Sequence, residues 1–410
     1  MVYIYFLLIR IATLFGHAKA RQIVAGQAAA LKELEKESLP ASSDKQRIWF
    51  HAASVGEFEQ ARPIIERLRA ERGDRVQILV TFFSPSGYEM RKNYALADKV
   101  MYLPFATRQN AKRFISFFKP ETAIFVKYEF WPAYLRTLHK EGIRTYLISG
   151  IFRDKQLFFR PWGGAYRRLL QYFTELFVQD KHSAELLHSI GIDNVTVAGD
   201  TRFDRVWAVC NTATWTDAVI ESFLGIQEGE PRPAYRVIVA GSTWHEDEQL
   251  LARYVEEHDD VKLIIAPHEI DASRLHDVFN TFIGRMVRYT EATPLNVKHV
   301  QVLVVDTMGM LSKIYRYGDA AYVGGGFGVG IHNTLEPAVY GIPVLFGPKY
   351  THFREAVGLV NVGAGFPVRQ YDDFARQMDT ALDNHVQLGA KAKEYIQSEL
   401  GATDKIYHRL

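Results

Sequence analysis

The stretch "IWFHAASVGEFEQARPII", residues 48–65, decides how the rest of the chain is read. An apolar run (Ile48, Trp49, Phe50) ends in small residues and a glycine, and a helical pattern follows over 58–72. A strand that turns into a helix through such a corner is the repeating unit of a parallel α/β fold. Free backbone N–H groups and the helix dipole favour negative charge there. Yet this corner carries its own acids, Glu57 and, close behind, Glu59. A carboxylate therefore stands where an anionic ligand would be expected.

The same alternation continues outward. Strands are expected at 47–52, 75–81, 121–126, 144–148, 175–179 and 194–198. Amphipathic stretches such as 58–72 and 131–141 lie between them, the latter opening at Trp131-Pro132. The rhythm pauses over 205–234, where "GEPRPAY" clusters proline and glycine. It restarts at 235–240 and runs through 261–266, 301–305, 319–323 and 343–346. The expected fold is α/β, with two Rossmann-like, doubly wound parallel-sheet domains facing a central cleft. A first domain over 32–205 and a second over 235–388 are joined by a linker at 206–234. A terminal helix over 389–410 is expected to pack back on the first domain.

Length and composition agree. The 410 residues exceed one ordinary core and suit two domains of about 150–200 residues. Hydrophobic residues at 48% and charged residues at 23% describe a globular protein. A net charge of +2, with acids and bases mixed evenly, argues against nucleic acid as a partner. The single cysteine, Cys210, excludes an internal disulfide framework and a cysteine-rich metal site. It lies in the bland "WAVCNTATW" and reads as a buried or incidental thiol.

The amino terminus, "VYIYFLLIRIATLFG" (2–16), is apolar but interrupted by Arg10 and shorter than the about 20 residues a spanning helix needs. "AKA" at 18–20 resembles a signal-peptidase site, but no basic residue precedes the apolar run. No acid occurs before Glu33, whereas Arg10, Lys19, Arg21 and Lys32 are basic. Residues 1–31 thus suit an element at an anionic membrane surface, or an apolar helix packed on the first domain.

In open α/β sheets ligands bind beyond the carboxyl ends of strands. Those ends are polar here, and their distribution over both domains suggests a two-substrate enzyme with one ligand per domain. In "YVGGGFGVGIHNTLEPAVYGIPVLFG" (322–347) a strand ends in three glycines, and a helix is expected near Asn333. Gly325 and Gly326 would let a ligand approach the backbone, with His332 and Asn333 beside it and Glu336 placed for ribose hydroxyls. In "VIVAGSTWHEDEQLL" (237–251) the hydroxyls of Ser242 and Thr243 suit either phosphate contact or plain helix capping. His268 ends the strand of "IIAPHEI", and Lys127 and Glu129 stand in "IFVKYEFWPAY". Arg202 and Arg205 in "AGDTRFDRV" could hold a ligand anion or brace a hinge. The Arg-rich aromatic stretch 149–173, with Arg153, could bind an anionic lipid or sugar phosphate, or be a solvated helix. No Asp-x-Asp pair, HExxH motif, Cys/His metal set, G-x-S-x-G elbow or P-loop occurs. No metal or other cofactor is expected.

Taken in order, "HAASVGE", "KYEFWP", "GDTRFD", "GSTWHEDE", "DTMG", "GGGFGVGIHNTLEP" and "GIPVLFGP" resemble the bacterial 3-deoxy-D-manno-octulosonic acid (Kdo) transferases of lipopolysaccharide assembly. The resemblance covers essentially the whole chain. It implies the GT-B architecture, CMP-Kdo as donor, the lipid A precursor (lipid IVA) as acceptor, and a peripheral place on the cytoplasmic side of the inner membrane. By that resemblance Glu57 matches the catalytic base and Glu129 a second important glutamate. Ser242, Thr243, Gly309, Asn333 and Glu336 match the nucleotide-sugar side. We group Arg202, His268, Gly325, Gly326 and His332 with the donor, and Ser54, Gly56, Lys127 and Arg153 with the acceptor. Three positions depart from the family pattern: Pro267-His268-Glu269 where Pro-Arg-His is usual, Met310 in place of an acid, and His352 where Asn is commoner.

The chemistry agrees with that role for Glu57. An acceptor hydroxyl must lose its proton as it attacks, and direct displacement inverts the anomeric carbon. The helix dipole is expected to keep Glu57 ionised. Two other readings compete: another GT-B enzyme, such as a UDP-sugar transferase or UDP-sugar 2-epimerase, and a non-catalytic membrane-associated binding protein.

Overall fold

The computed structural model describes residues 9, 11–13, 15–36, 45–211, 215–227, 229–230, 233, 235–328 and 330–410. Most of the apolar run 2–16 lies outside the described residues. Among those described, no helix is long and apolar enough to cross a membrane. The chain divides into two units. The first holds the described residues up to Arg205 together with Leu400–Leu410, and the second holds Val206–Glu399.

The first unit is built on a seven-stranded parallel sheet of β1 (Gln46–Ala52), β2 (Val76–Phe82), β3 (Lys99–Tyr102), β4 (Thr122–Val126), β5 (Arg144–Gly150), β6 (Glu175–Val178) and β7 (Val195–Val197), ordered β3-β2-β1-β4-β5-β6-β7. Both faces are covered, so β1 sends alternate residues into separate cores. Ile48, Phe50 and Ala52 join Phe58, Ile64, Ile65 and Leu68 of the helix Val55–Arg72. Trp49 points the other way, among Phe114, Phe125 and Tyr134. The strand period of two puts His51 on the Trp49 face. The order reverses direction between β1 and β4, which is where an open sheet of this kind leaves a crevice for ligands.

The helix Ala18–Lys36 buries Ala30, Leu31 and Leu34 in the same core as Trp49, and Gly26 lies flat against the Tyr102 ring. From Ala18 onward, the segment 1–31 is thus partly an element of the first unit. The carboxyl terminus is two helices. His385–Ser398 belongs to the second unit, where Gly389 packs on the Gly341 backbone; Ala402–Tyr407 belongs to the first. Asp204 accepts from the Gly401 and Thr403 N–H groups at 2.7 Å each, and Ile406, Tyr407 and Leu410 enter the core. Only 400–410, not all of 389–410, joins the first unit.

The second unit repeats the plan with β8 (Arg236–Thr243), β9 (Val261–Pro267), β10 (Met286–Arg288), β11 (Val302–Val304), β12 (Ala320–Val323), β13 (Val344–Phe346) and β14 (Gly365–Pro367), all parallel, ordered β10-β11-β9-β8-β12-β13-β14. Its reversal falls between β8 and β12. The span read as a linker is partly structured: the helix Ala218–Leu224 buries Ile220, Phe223 and Leu224 against Val237 and Val239.

Candidate active site

At the reversal of the first sheet, the corner after β1 and the loop after β4 bring two carboxylates together. Ser54 begins the helix in extended backbone, and Glu57 sits three residues on, in the first turn. Its Oε2 accepts from the N–H groups of Ala53 (2.6 Å) and Ser54 (3.1 Å), so the acid caps its own helix and its oxygens are held in place. The helix N-terminus alone would lower the Glu57 pKa. The net shift is upward, because burial and the Glu129 charge outweigh the Ala53 hydrogen bond, Lys127 and His51. The helix dipole is thus not the dominant influence on Glu57, and a raised pKa makes a better base. Gly56 is exposed on the outer side of the same turn. Glu59 has a structural role, bonded by Arg91 at 2.7 Å and Arg205 at 2.9 Å.

Glu129 is buried. Its Oε2 accepts from Trp131 Nε1 at 2.6 Å and lies 2.9 Å from His51 Nε2. Lys127 carries a positive φ of 56° at the end of β4, a strained backbone for a lysine, and its N–H donates to the Ile148 carbonyl at 3.0 Å. Its ammonium acts on both Glu57 and Asp200. Asp200 is buried, yet Arg202 holds its carboxyl below the usual range: Nε and Nη2 donate to Oδ2 at 2.9 and 2.7 Å. Gln60 Nε2 donates to both Asp200 oxygens at 3.1 Å. Arg202, grouped above with the donor, thus belongs to the first unit and has a built-in carboxylate partner.

Tyr128 links this corner to a groove. Burial raises its phenol, which feels both Arg153 and Glu57. The groove, about 770 Å³, is floored by Phe130, Ala133, Phe158 and Leu169 and edged by Arg108, Arg136 and Lys155. The segment 153–168 forms one side, as a short turn at Leu157–Phe159 and a helix at Gly164–Leu170 rather than one amphipathic helix. It exposes Leu157 (40%) and Trp162 (75%) beside exposed Arg153, Lys155, Arg160 and Arg168.

In the second unit the corner after β8 follows similar logic. Ser242 has a positive φ of 54°, and Thr243 is buried with its hydroxyl donating to Glu248 Oε1 at 2.9 Å. Arg274 pairs with the same oxygen. Asp247 laces the corner to the glycine loop: Oδ2 accepts from Trp244 N (2.9 Å) and Gly325 N (3.0 Å), and Oδ1 from the Tyr322 hydroxyl (2.7 Å). The Gly325 N–H, on the backbone expected to let a ligand approach, is therefore already engaged. A Cβ on Gly326 would lie 2.6 Å from Gly347 backbone atoms, so this glycine answers to backbone packing.

Trp244, His268 and His332 stack, with centroids 4.8 Å apart for Trp244–His268 and 4.3 Å for His268–His332. Burial and His268 lower the His332 pKa to about 4. Its neutral form favours folding: that contribution is full above the unfolded value near 6.5 and is lost as pH falls toward about 4. Replacing His332 by glutamine is expected to flatten the loss of melting temperature over that window, measured by calorimetry. Asn333 accepts from Leu335 N at 3.1 Å and donates to Glu336 Oε1 at 3.0 Å, fixing that carboxylate at the first turn of the four-residue helix Leu335–Ala338. Gly309 lies beyond β11 in a turn with φ 85°. Among the described residues no group of three or more His, Cys, Asp or Glu is placed to hold a metal ion.

His51 is the residue that reading motifs for reactive groups missed. Its signal was present: a histidine on the inward face of a strand covered on both sides must find buried polar partners.

Two parallel sheets, each with polar loops at its point of reversal, define a protein of the GT-B class. Solved structures of that build align along most of the chain. One is a UDP-GlcNAc 2-epimerase from Neisseria meningitidis (TM-score 0.60, 15% identity, 88% of this chain and 99% of that one). Another is a glycosyltransferase from Rickettsia africae (TM-score 0.56, 12% identity, 89% and 98%). At these identities the likeness concerns the fold. Residues 25–205 match the family model described as 3-deoxy-D-manno-octulosonic-acid transferase (kdotransferase). Among curated relatives, the 3-deoxy-D-manno-octulosonic acid transferase of Aquifex aeolicus is 27% identical over 372 residues, covering 88% of this chain and 92% of that protein. That of Bordetella pertussis is 26% identical over 381 residues, covering 86% and 82%. The amino-terminal domain is a kdotransferase domain, and the chain as a whole is a relative of the Kdo transferases, as its motifs suggested.

Proposed function

We propose that this protein transfers Kdo from CMP-Kdo to a lipid A precursor, with inversion at the anomeric carbon and Glu57 as general base. The observation that carries the reading is Glu57 itself: a fixed carboxylate at the switch point of the first sheet, made more basic by burial and by Glu129. One Glu57 oxygen is occupied by the backbone, leaving Oε1 to take the acceptor proton. The acceptor oxygen bonds to the anomeric carbon as the bond from that carbon to the CMP phosphate oxygen breaks. CMP leaves with the electron pair. Glu129 stands behind the base, and Lys127 balances the paired carboxylates.

We assign the donor to the second unit, with Ser242, His268 and Glu336 as its contacts. Thr243, Asn333, Gly325, Gly326 and His332 shape that site from behind, and Gly309 flanks it. Transfer proceeds without a metal ion, the leaving phosphate being met by fixed dipoles. The acceptor falls to the first unit. The apolar groove with Arg108, Arg136 and Lys155 at its edge suits an anionic amphiphile, and Tyr128 leads from it toward Glu57. Ser54, Gly56 and Arg153 border the same corner. Exposed Trp162 and Leu157 among cations suit an anionic membrane surface, on the cytoplasmic side of the inner membrane.

Supplying CMP-Kdo with and without a lipid A precursor tests the reading. CMP release that requires the acceptor is expected; release indifferent to it, or none, contradicts the proposal. Filling the groove by Ala133→Trp is expected to raise KM for the lipid about tenfold or more, the cost of losing a few buried methylenes. CMP-Kdo affinity, measured by calorimetry, should stay unchanged.

A further inference from the structure

We propose that His51 is a positioning residue for the transfer, acting through Glu129 by holding that carboxylate in place beside Glu57. The inference rests on the reading of Glu57 as the base, and it adds a residue behind the two carboxylates.

The arrangement follows from strand geometry. In the parallel pairing of β1 with its neighbours, His51 lies opposite Thr81 on one side and Phe125 on the other. The imidazole is fully buried, edge-on to Phe125 and Trp131. A polar ring at that depth needs both nitrogens satisfied. Nδ1 lies 2.9 Å from Thr81 Oγ1 and 3.1 Å from the Thr81 carbonyl, and Nε2 lies 2.9 Å from Glu129 Oε2. Thr81 is fixed in turn, accepting from Trp49 Nε1 at 2.8 Å. On the far side Trp131 Nε1 donates to the same Glu129 oxygen at 2.6 Å, with His51 Nε2 at 3.0 Å, and its ring stacks on Phe83. A continuous buried chain thus runs Trp49–Thr81–His51–Glu129, closed by Trp131.

That chain ends beside the base. The groups acting on Glu57 are Glu129, which raises its pKa, and Lys127 and His51, which lower it; Tyr128 also faces it. Of these influences Glu129 is the strongest and His51 the weakest. The larger effect of His51 is mechanical: with Nδ1 accepting from the Thr81 hydroxyl, Nε2 carries the proton that Glu129 accepts, and without it that carboxyl loses one of two donors and can swing away. The Coulomb term at Glu57 then weakens with distance.

The test compares wild type, Glu129→Gln, His51→Leu and the double variant. It follows acceptor-dependent CMP release across the acid limb of kcat/KM, which reports the base in the free enzyme. Glu129→Gln removes a like charge, so the Glu57 pKa falls and the limb moves to lower pH. His51→Leu is expected to move it the same way and to lower kcat on the order of tenfold, as loss of an outer orienting partner does. In the Glu129→Gln background the His51 substitution should add little to either effect. His51→Gln keeps an N–H near the Nε2 position and should restore most of the wild-type limb.

An unmoved acid limb in His51→Leu, or a loss that multiplies fully with that of Glu129→Gln, would show a packing role only and overturn the proposal. Should His51→Leu fail to fold, Thr81→Val releases the ring from its other side at nearly constant shape. A smaller shift in the same direction is expected, and an unmoved limb overturns the proposal equally. Glu57→Gln separates the two ideas. If it retains transfer, the base assignment fails; if it is inactive while His51 variants behave as wild type, only the role of His51 fails.

Discussion

Replacing Glu57 by glutamine is expected to lower the transfer rate by about 100- to 10,000-fold, the usual contribution of a positioned general base. The amide oxygen can still accept from the Ala53 and Ser54 N–H groups, so the helix start is preserved. What is lost is the capacity to take a proton. CMP-Kdo binding, assigned to the second unit, should be unaffected in calorimetry. The same substitution should raise the melting temperature at neutral pH. A carboxyl whose folded pKa is raised contributes stability that is full below the unfolded pKa and is lost as pH rises through the folded value. At neutral pH the ionised Glu57 therefore costs stability, and an uncharged isostere removes that cost. A variant that is more stable and inactive marks a side chain retained for chemistry. Near-normal turnover, or a fall in both stability and donor affinity, would contradict the assignment.

Substituting Gly326 by alanine is expected to destabilise the second unit by about 3 kcal/mol or more, at the upper end of what overpacking costs. The added Cβ would sit 2.6 Å from both the Cα and N atoms of Gly347, and neither backbone has a flexible end that can yield. The two loops follow β12 and β13, so separating them pulls on the sheet itself. Thermal unfolding of the variant without any nucleotide should show this loss. If the variant unfolds like wild type and only donor affinity falls, the glycine serves ligand approach rather than packing.

That glycine illustrates where the sequence was legible and where it was not. The β–α alternation was visible because strands buried on both faces read as continuous apolar runs, such as Val237–Ala240 and Leu263–Ala266. Three strands escaped: β3, β10 and β14, of four, three and three residues. All are sheet edges, where strands are kept short and their pattern is too brief to separate from a loop. The helix expected near Asn333 proved a single turn at Leu335–Ala338, with Gly341 at a positive φ of 73° three residues beyond it.

The candidate site was legible where a reactive group interrupts a structural pattern. Glu57 stood out at a strand–helix corner, and it does lie beside Glu129 and Lys127. What could not be read was how polar partners divide the work. Ser242 and Thr243 are adjacent, yet the bulge that gives Ser242 a positive φ turns Thr243 inward to Glu248. Arg202 looked free to hold a ligand, but Asp200, two residues before it, takes its guanidinium. His51 was passed over because its partners, Thr81 and Glu129, are 30 and 78 residues away, and only the sheet register makes them neighbours.

The central claim, that this protein moves Kdo from CMP-Kdo onto a lipid acceptor, is tested most directly by the mass of the lipid product. The purified 410-residue chain would be incubated with CMP-Kdo and the lipid A precursor in the presence of a metal chelator, with CMP released measured in parallel. The expected result is an acceptor heavier by a whole number of Kdo residues, with one CMP released for each. An unchanged acceptor mass, or CMP released with free Kdo as the only other product, would contradict the account.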